Sequence, residues 1–202
     1  GGLQHPNIVA VHEVGLCEDR HYLVMDFVEG QTLAELARAG PLRPARAARY
    51  VQKVAEAIHY AHERGILHRD LKPSNVIIDV ADEPRITDFG LAKRLESGSN
   101  LTLSGQVLGS PQYMPPEQAT GRQRQVGRRS DVYALGAMLY HLLTGRPPFV
   151  GETIADIVPQ VVNDEPLRLR QLNPAVPADL ETLCLKCLEK EMLRRYPTAL
   201  AL

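Results

Sequence analysis

The chain has 202 residues, 44% of them apolar, and a formal net charge of −1. That is enough apolar material for one large domain or two modest ones, and the near-neutral balance gives no broad basic face for nucleic acid or membrane. No apolar run approaches the ~18 residues of a membrane span, no signal peptide opens the chain, and an odd count of three cysteines argues against a disulfide framework and fits a reducing compartment.

Taken in chain order, residues 8–28 carry two strand-like runs, Ile8-Val9-Ala10-Val11 and Tyr22 to Val28, around the polar turn Cys17-Glu18-Asp19-Arg20. This predicts a β-hairpin. Thr32-Leu33-Ala34-Glu35 is a capping box, so a short helix opens there and ends at Gly40. A longer helix follows Pro44, with Val51, Val54, Ala55 and Ile58 at helical spacing and Gly65 as its stop. Ile66-Leu67 and Val76-Ile77-Ile78 are short β-like runs. Residues 91–112 are rich in Ser, Gly and Thr and read as a long loop, which a chain usually keeps because it uses it. Ser130 is expected to cap a helix over residues 131–144, with Gly145 just past its end. Apolar residues surround that helix, so it belongs at a buried centre. The 152–163 segment has a helical pattern that Pro159 should kink or end. Leu180, Leu183, Cys184, Cys187 and Leu188 form one apolar face of a last helix.

Between the two β-like runs, residues 68–75 read His68-Arg69-Asp70-Leu71-Lys72-Pro73-Ser74-Asn75, and Asp88-Phe89-Gly90 begins thirteen positions after Asn75. An acid able to take a proton stands five residues before an amide oxygen, and a second acid follows at a fixed distance. Asp70 suits a general base, Asn75 and Asp88 offer hard oxygens of the kind Mg²⁺ prefers, and Lys72 is a cation two residues after the acid. The string resembles the catalytic loop and metal-binding triplet of protein kinases. Pro115-Pro116-Glu117 resembles the triplet that closes the activation segment, with Pro115 where Ala is usual, and Arg195 resembles the partner of Glu117. Ser130-Asp131-Val132-Tyr133 with Gly136 resembles the start of the central helix. Tyr113 to Gln118 and Leu185 to Lys190 are similar to bacterial serine/threonine kinases of the eukaryotic-like type.

The resemblance implies an α+β, protein-kinase-like fold: a partial small-lobe β-hairpin followed by a mainly helical large lobe. Residues 1–28 would be the remnant of the small lobe and 29–202 the large lobe, truncated in its last helix, with the hinge near Asp26 to Gly30. It implies transfer of the ATP γ-phosphate to Ser/Thr hydroxyls of protein substrates, with Asp70, Lys72 and Asn75 catalytic and Mg²⁺ held by Asn75 and Asp88. It also implies Met25 as gatekeeper, backbone contacts from Asp26 and Val28 to adenine, Ile77 as adenine floor, and a cytoplasmic catalytic domain. Asp131 would anchor the catalytic-loop backbone, His68 would pack on Phe89, and Gly109-Ser110 would pack against the substrate residue. A Gly-rich loop, a strand Lys and a helix Glu do not precede residue 68 in usable form, so the fragment alone is expected to be inactive. Thr102 or Ser104 is the expected acceptor of a regulatory phosphate that pairs with Arg69.

Two other readings stay open: a non-catalytic kinase-like scaffold and a small-molecule phosphotransferase. Cys184 and Cys187 match half a zinc motif, but they lie on an apolar helix face and read as core. Arg122, Arg124, Arg128 and Arg129 read as a solvated basic loop, with docking of an acidic substrate as the alternative. His59 and His62 read as surface or packing residues.

Overall fold

The computed structural model describes residues 3–18, 20–89 and 110–202. Gly90, Thr102, Ser104 and Gly109, and with them most of the expected loop and its phosphate acceptor, lie outside the described residues.

The expected hairpin is present as β1 (Val11–Cys17) and antiparallel β2 (Arg20–Met25). Its strands are shifted from the expected ones: β1 shares only Val11 with the run from Ile8 to Val11, and β2 begins two residues before Tyr22 and ends three before Val28. Ile8 and Val9 belong elsewhere: Ile8 bridges Ile86 in parallel, and the Val9 N–H donates to Ile86 O at 2.9 Å. Both are buried, and Ile8 packs in the main core. Their β-like character therefore serves the edge of a second sheet, β3 (Gly30–Thr32), β4 (Val76–Asp79) and β5 (Pro84–Ile86), in the order β3-β4-β5.

The capping box forms as expected. Thr32 accepts from the Glu35 N–H, and the Glu35 carboxylate accepts from the Thr32 N–H, opening α1 (Leu33–Arg38). The long helix is α2 (Pro44–Glu63), with Pro at its first position. Its end explains why Ile66-Leu67 is not a strand. Gly65 adopts φ 72°, and the N–H groups of Gly65 and Ile66 close back onto His62 O and Ala61 O. That is a Schellman closure, so Ile66 completes the helix instead of pairing in a sheet.

After the four-residue α3 (Pro116–Ala119) comes the central helix α4 (Arg128–Thr144), buried on all sides as its composition demands. It begins at Arg128, two residues before the expected cap. Gly127 is the N-cap, and Ser130 sits a turn inside, where its Oγ accepts from the Gly127 N–H at 3.0 Å. Gly145 ends the helix at φ 75°. α2 and α7 (Ala178–Cys187) pack against α4, and Cys184 and Cys187 are buried in that contact as free thiols. α5 (Ile154–Asn163) runs through Pro159 instead of stopping there. It is held at both ends: Thr153 and Asp156 form a capping box, and Lys190 Nζ donates to Val161 O at 2.7 Å. The short α6 is Leu169–Leu172. Among the described residues, no helix is long and apolar enough to cross a membrane.

Candidate active site

The catalytic-loop string connects the end of α2 to β4, and a side chain of α4 holds the start of its backbone. Asp131, in the first turn of α4, accepts the N–H groups of His68 and Arg69, each at 2.9 Å. Its Oδ2 also accepts from His62 Nε2 at 2.7 Å. Burial works to raise the Asp131 carboxyl, but the His62 hydrogen bond and charge together with the His68 N–H outweigh it and hold the group below its ordinary value. These bonds hold a backbone that is costly by itself. Arg69 and Asp88 both have positive φ, 69° and 61°, at non-glycine residues, a conformation that typically costs on the order of 1–3 kcal/mol.

His68 places its ring 4.7 Å from that of Phe89, as expected, and its Nε2–H donates to Thr87 O at 3.0 Å. Burial lowers its pKa against the pull of Asp131, which makes the ring a poorer proton acceptor than a free imidazole.

The structure brings Asp70, Lys72 and Asn75 together. Lys72 Nζ donates to Asp70 Oδ2 at 2.7 Å. Asn75 Nδ2 donates to Asp70 O at 2.9 Å and lies 3.3 Å from Asp70 Oδ2. The Asp70 side chain is 41% exposed, whereas Lys72 is 19% exposed, so the acid is open to an incoming group while the cation is tucked beside it. Asp88 joins them through the backbone: the Thr87 N–H donates to Asn75 O at 2.9 Å. With its Nδ2 committed to Asp70, Asn75 turns Oδ1 away, toward only a 3.5 Å contact from Ser74 Oγ. An amide oxygen and a carboxylate on adjacent backbone are a donor set that fits Mg²⁺ completed by phosphate and water. Among the described residues, no group of three His, Cys, Asp or Glu side chains forms a metal cage, and such a site needs none.

The four expected nucleotide residues are spread over the end of β2, the connection that follows it, and β4. Met25 ends β2, and the Asp26 N–H donates to Ala10 O at 3.0 Å while its carboxylate meets His12. Val28 is half-buried in the connection to β3, and Ile77 lies on β4 opposite Thr32. No hydrogen bond links these four to the Asp70 group among the described residues.

On the other flank, Arg195 binds both Glu117 oxygens, at 2.8 and 2.9 Å, and Ser130 Oγ donates to Glu117 Oε1 at 2.6 Å. Burial raises the Glu117 carboxyl, but Arg195 and Ser130 together hold it below its ordinary value. Tyr113 Oη and His141 Nδ1 share a hydrogen bond at 2.6 Å, tying the preceding turn to α4. The basic loop divides: Arg122 and Arg124 are exposed, while Arg128 pairs with Glu63 and His62 O.

His62 is the residue sequence reasoning undervalued. It continues the α2 stripe one turn past Ile58, so its burial was readable from spacing, but its partner 69 residues away was not.

Comparison with known proteins gives a consistent family. The model of the protein kinase domain matches residues 1–202. The chain is 42% identical over 198 residues to the serine/threonine-protein kinase PrkC of Bacillus subtilis. It is 38% identical over 202 residues to the serine/threonine-protein kinase PknB of Mycobacterium leprae, and 39% identical over 203 residues to PknB of Mycobacterium tuberculosis. Each alignment covers 98% of this chain, and the chain spans 30–32% of the length of these relatives.

Proposed function

The chain belongs to the protein kinase family, and from that premise we propose that it is the hinge and large lobe of a protein serine/threonine kinase that transfers the ATP γ-phosphate to hydroxyls of protein substrates. Residues 1–28 are its share of the small lobe and 29–202 its large lobe. The observation that carries the reading is the Asp70–Lys72–Asn75 cluster, with Asp88 tied to it through Thr87.

Phosphoryl transfer asks a protein mainly for positioning and charge neutralisation. Asp70, the exposed member of the cluster, accepts the proton of the attacking hydroxyl. Lys72 holds the Asp70 carboxylate in place and sets a positive charge beside the transferring group. Asn75 and Asp88 would hold Mg²⁺, which when bound neutralises the phosphate oxygens. Met25, Asp26, Val28 and Ile77 form the adenine side. Support there comes from Val28, whose backbone N–H and C=O make no hydrogen bond among the described residues. Catalysis belongs in the cytoplasm, in keeping with three free thiols.

The test uses the full-length protein. Asp70→Asn should lower turnover by about 10²–10⁴-fold with ATP affinity held, and Asp88→Ala should weaken Mg²⁺-nucleotide binding. Near-normal turnover by Asp70→Asn would overturn the assignment.

A further inference from the structure

We propose that Gln118 is a positioning residue for the catalytic loop: through the backbone carbonyl of Arg69, it makes the placement of Asp70 depend on the seating of residues 110–119. The proposal rests on the kinase reading above.

Gln118 Nε2 donates to Arg69 O at 3.1 Å, linking residues 49 apart in sequence. Arg69 is the residue with φ 69°, and its own N–H is already held by Asp131 Oδ1 at 2.9 Å. The two bonds act on different peptide planes. Asp131 fixes the plane before the Arg69 Cα. The carbonyl that Gln118 grips belongs to the plane after it, which Arg69 shares with Asp70. Asn75 and Lys72 hold Asp70 from its far side, at its carbonyl and its carboxylate. The Gln118 bond adds an anchor on the near side, where ψ of Arg69 sets the direction in which the chain enters Asp70. With Arg69 held on both sides, its left-handed conformation is fixed and that direction with it.

The base from which Gln118 reaches is firm. Its neighbour Glu117 is bound by Arg195 at two oxygens and by Ser130 Oγ. Ser130 and Asp131 are consecutive residues in the first turn of α4, so one turn of one helix holds both ends of the link. Ser110, Tyr113 and Gln118 on one side and Arg69, Asp70 and Asp131 on the other surround a cavity of about 10 Å³. The two segments thus meet across room for about one water, and a shift of residues 110–119 draws the donor from the Arg69 carbonyl. A neutral amide suits the position: a carboxylate cannot donate to a carbonyl, and a thioether fills the space without a donor.

The experiment compares full-length wild type, Gln118→Met, Gln118→Glu and Asp70→Asn, reading kcat, KM for ATP, KM for a peptide substrate, and melting temperature. Both Gln118 variants should lose about tenfold or more in kcat and equally in kcat/KM, because misplacing a catalytic group acts on the transition state. Neither KM should move, and melting should stay near that of wild type. If Gln118→Met fails to fold, Gln118→Glu alone decides, since it keeps the shape and drops the donor. A kcat within twofold of wild type in the Gln118 variants, with activity lost in Asp70→Asn, would sink the positioning role and leave the kinase reading standing. A kcat loss that merely follows a fall in melting temperature would make Gln118 a structural prop and also overturn it. Wild-type transfer that does not depend on Asp70 would instead remove the kinase reading itself.

Discussion

Asp131 Oδ1 accepts the backbone N–H of Arg69 at 2.9 Å, although the two residues are 62 positions apart. The bond ties the most buried helix of the fold to the most strained residue of the catalytic loop. Asp131 is 1% exposed and answers three donors, from His62, His68 and Arg69. Asp131→Asn keeps the shape but turns an NH₂ toward a donor. A buried polar group left unsatisfied costs about 1–3 kcal/mol, so unfolding should become easier by that amount. A loop displaced by ~1 Å can lose ~10²-fold in turnover. Urea unfolding and steady-state kinetics on the full-length protein check both, and a variant with normal turnover would show that the loop holds its own geometry.

The Glu117–Arg195 pair predicts a pH dependence. Both side chains are almost fully buried, at 3% and 0% exposure. The folded-state pKa of Glu117 is below its ordinary 4.5. A depressed carboxylate contributes stability that is fully present above the unfolded value and is lost as pH falls through the folded one. Near neutral pH, Glu117→Gln should cost about 3–5 kcal/mol, the usual result of removing one partner from a buried pair. Below about pH 4.5 the gap between wild type and variant should narrow. Denaturation curves at several pH values test this, and a gap that stays constant into acid would mean the charge on Glu117 contributes little.

Gly136 lies where α4 packs against α7. A Cβ there would lie 2.4 Å from the Cβ of Cys187, far inside contact distance. Neither atom belongs to a flexible side-chain end, so the helices themselves must move apart. Overpacking of this kind usually costs about 1–3 kcal/mol, and Gly136→Ala should lose at least that. The slope of the denaturation curve should stay unchanged while its midpoint falls.

What the sequence disclosed and what it hid divide along physical lines. Local signals were legible: the capping box at Thr32, the glycine stops at Gly65 and Gly145, and the all-round apolar pattern of α4 follow from neighbours a few residues apart. The Asp70–Lys72–Asn75 cluster was legible because one short loop carries all three. Long-range partners were not. Ile8 and Val9 have strand chemistry whichever sheet they join, and only the fold pairs Ile8 with Ile86. Three-residue strands such as β3 and β5 have too little periodicity to declare themselves. His62 looked like a helix-face histidine because its carboxylate partner comes from another helix.

Pro159 is the clearest case of tertiary contacts overriding a local rule, and it yields the last prediction. It stands exposed within α5, where its missing N–H would have bonded Ala155 O. The helix persists because Ile157 and Val161 bury against Phe149, because Thr153 and Asp156 cap the first turn, and because Lys190 holds the last carbonyls. Burial lowers the Lys190 pKa to about 8 against the pull of Glu165 and Asp164, so the group is held at some electrostatic cost. Replacing an interior helix proline restores one backbone hydrogen bond and relieves a ring-to-carbonyl clash, an effect of up to ~3 kcal/mol in a free helix. Pro159→Ala should therefore stabilise the fold by about 1–2 kcal/mol, the remainder being already absorbed by the contacts at the helix ends. Thermal unfolding of the full-length protein and its variant measures it. A fall in melting temperature would show that Pro159 is itself a packing element, and that the helix runs through it because of the ring and not in spite of it.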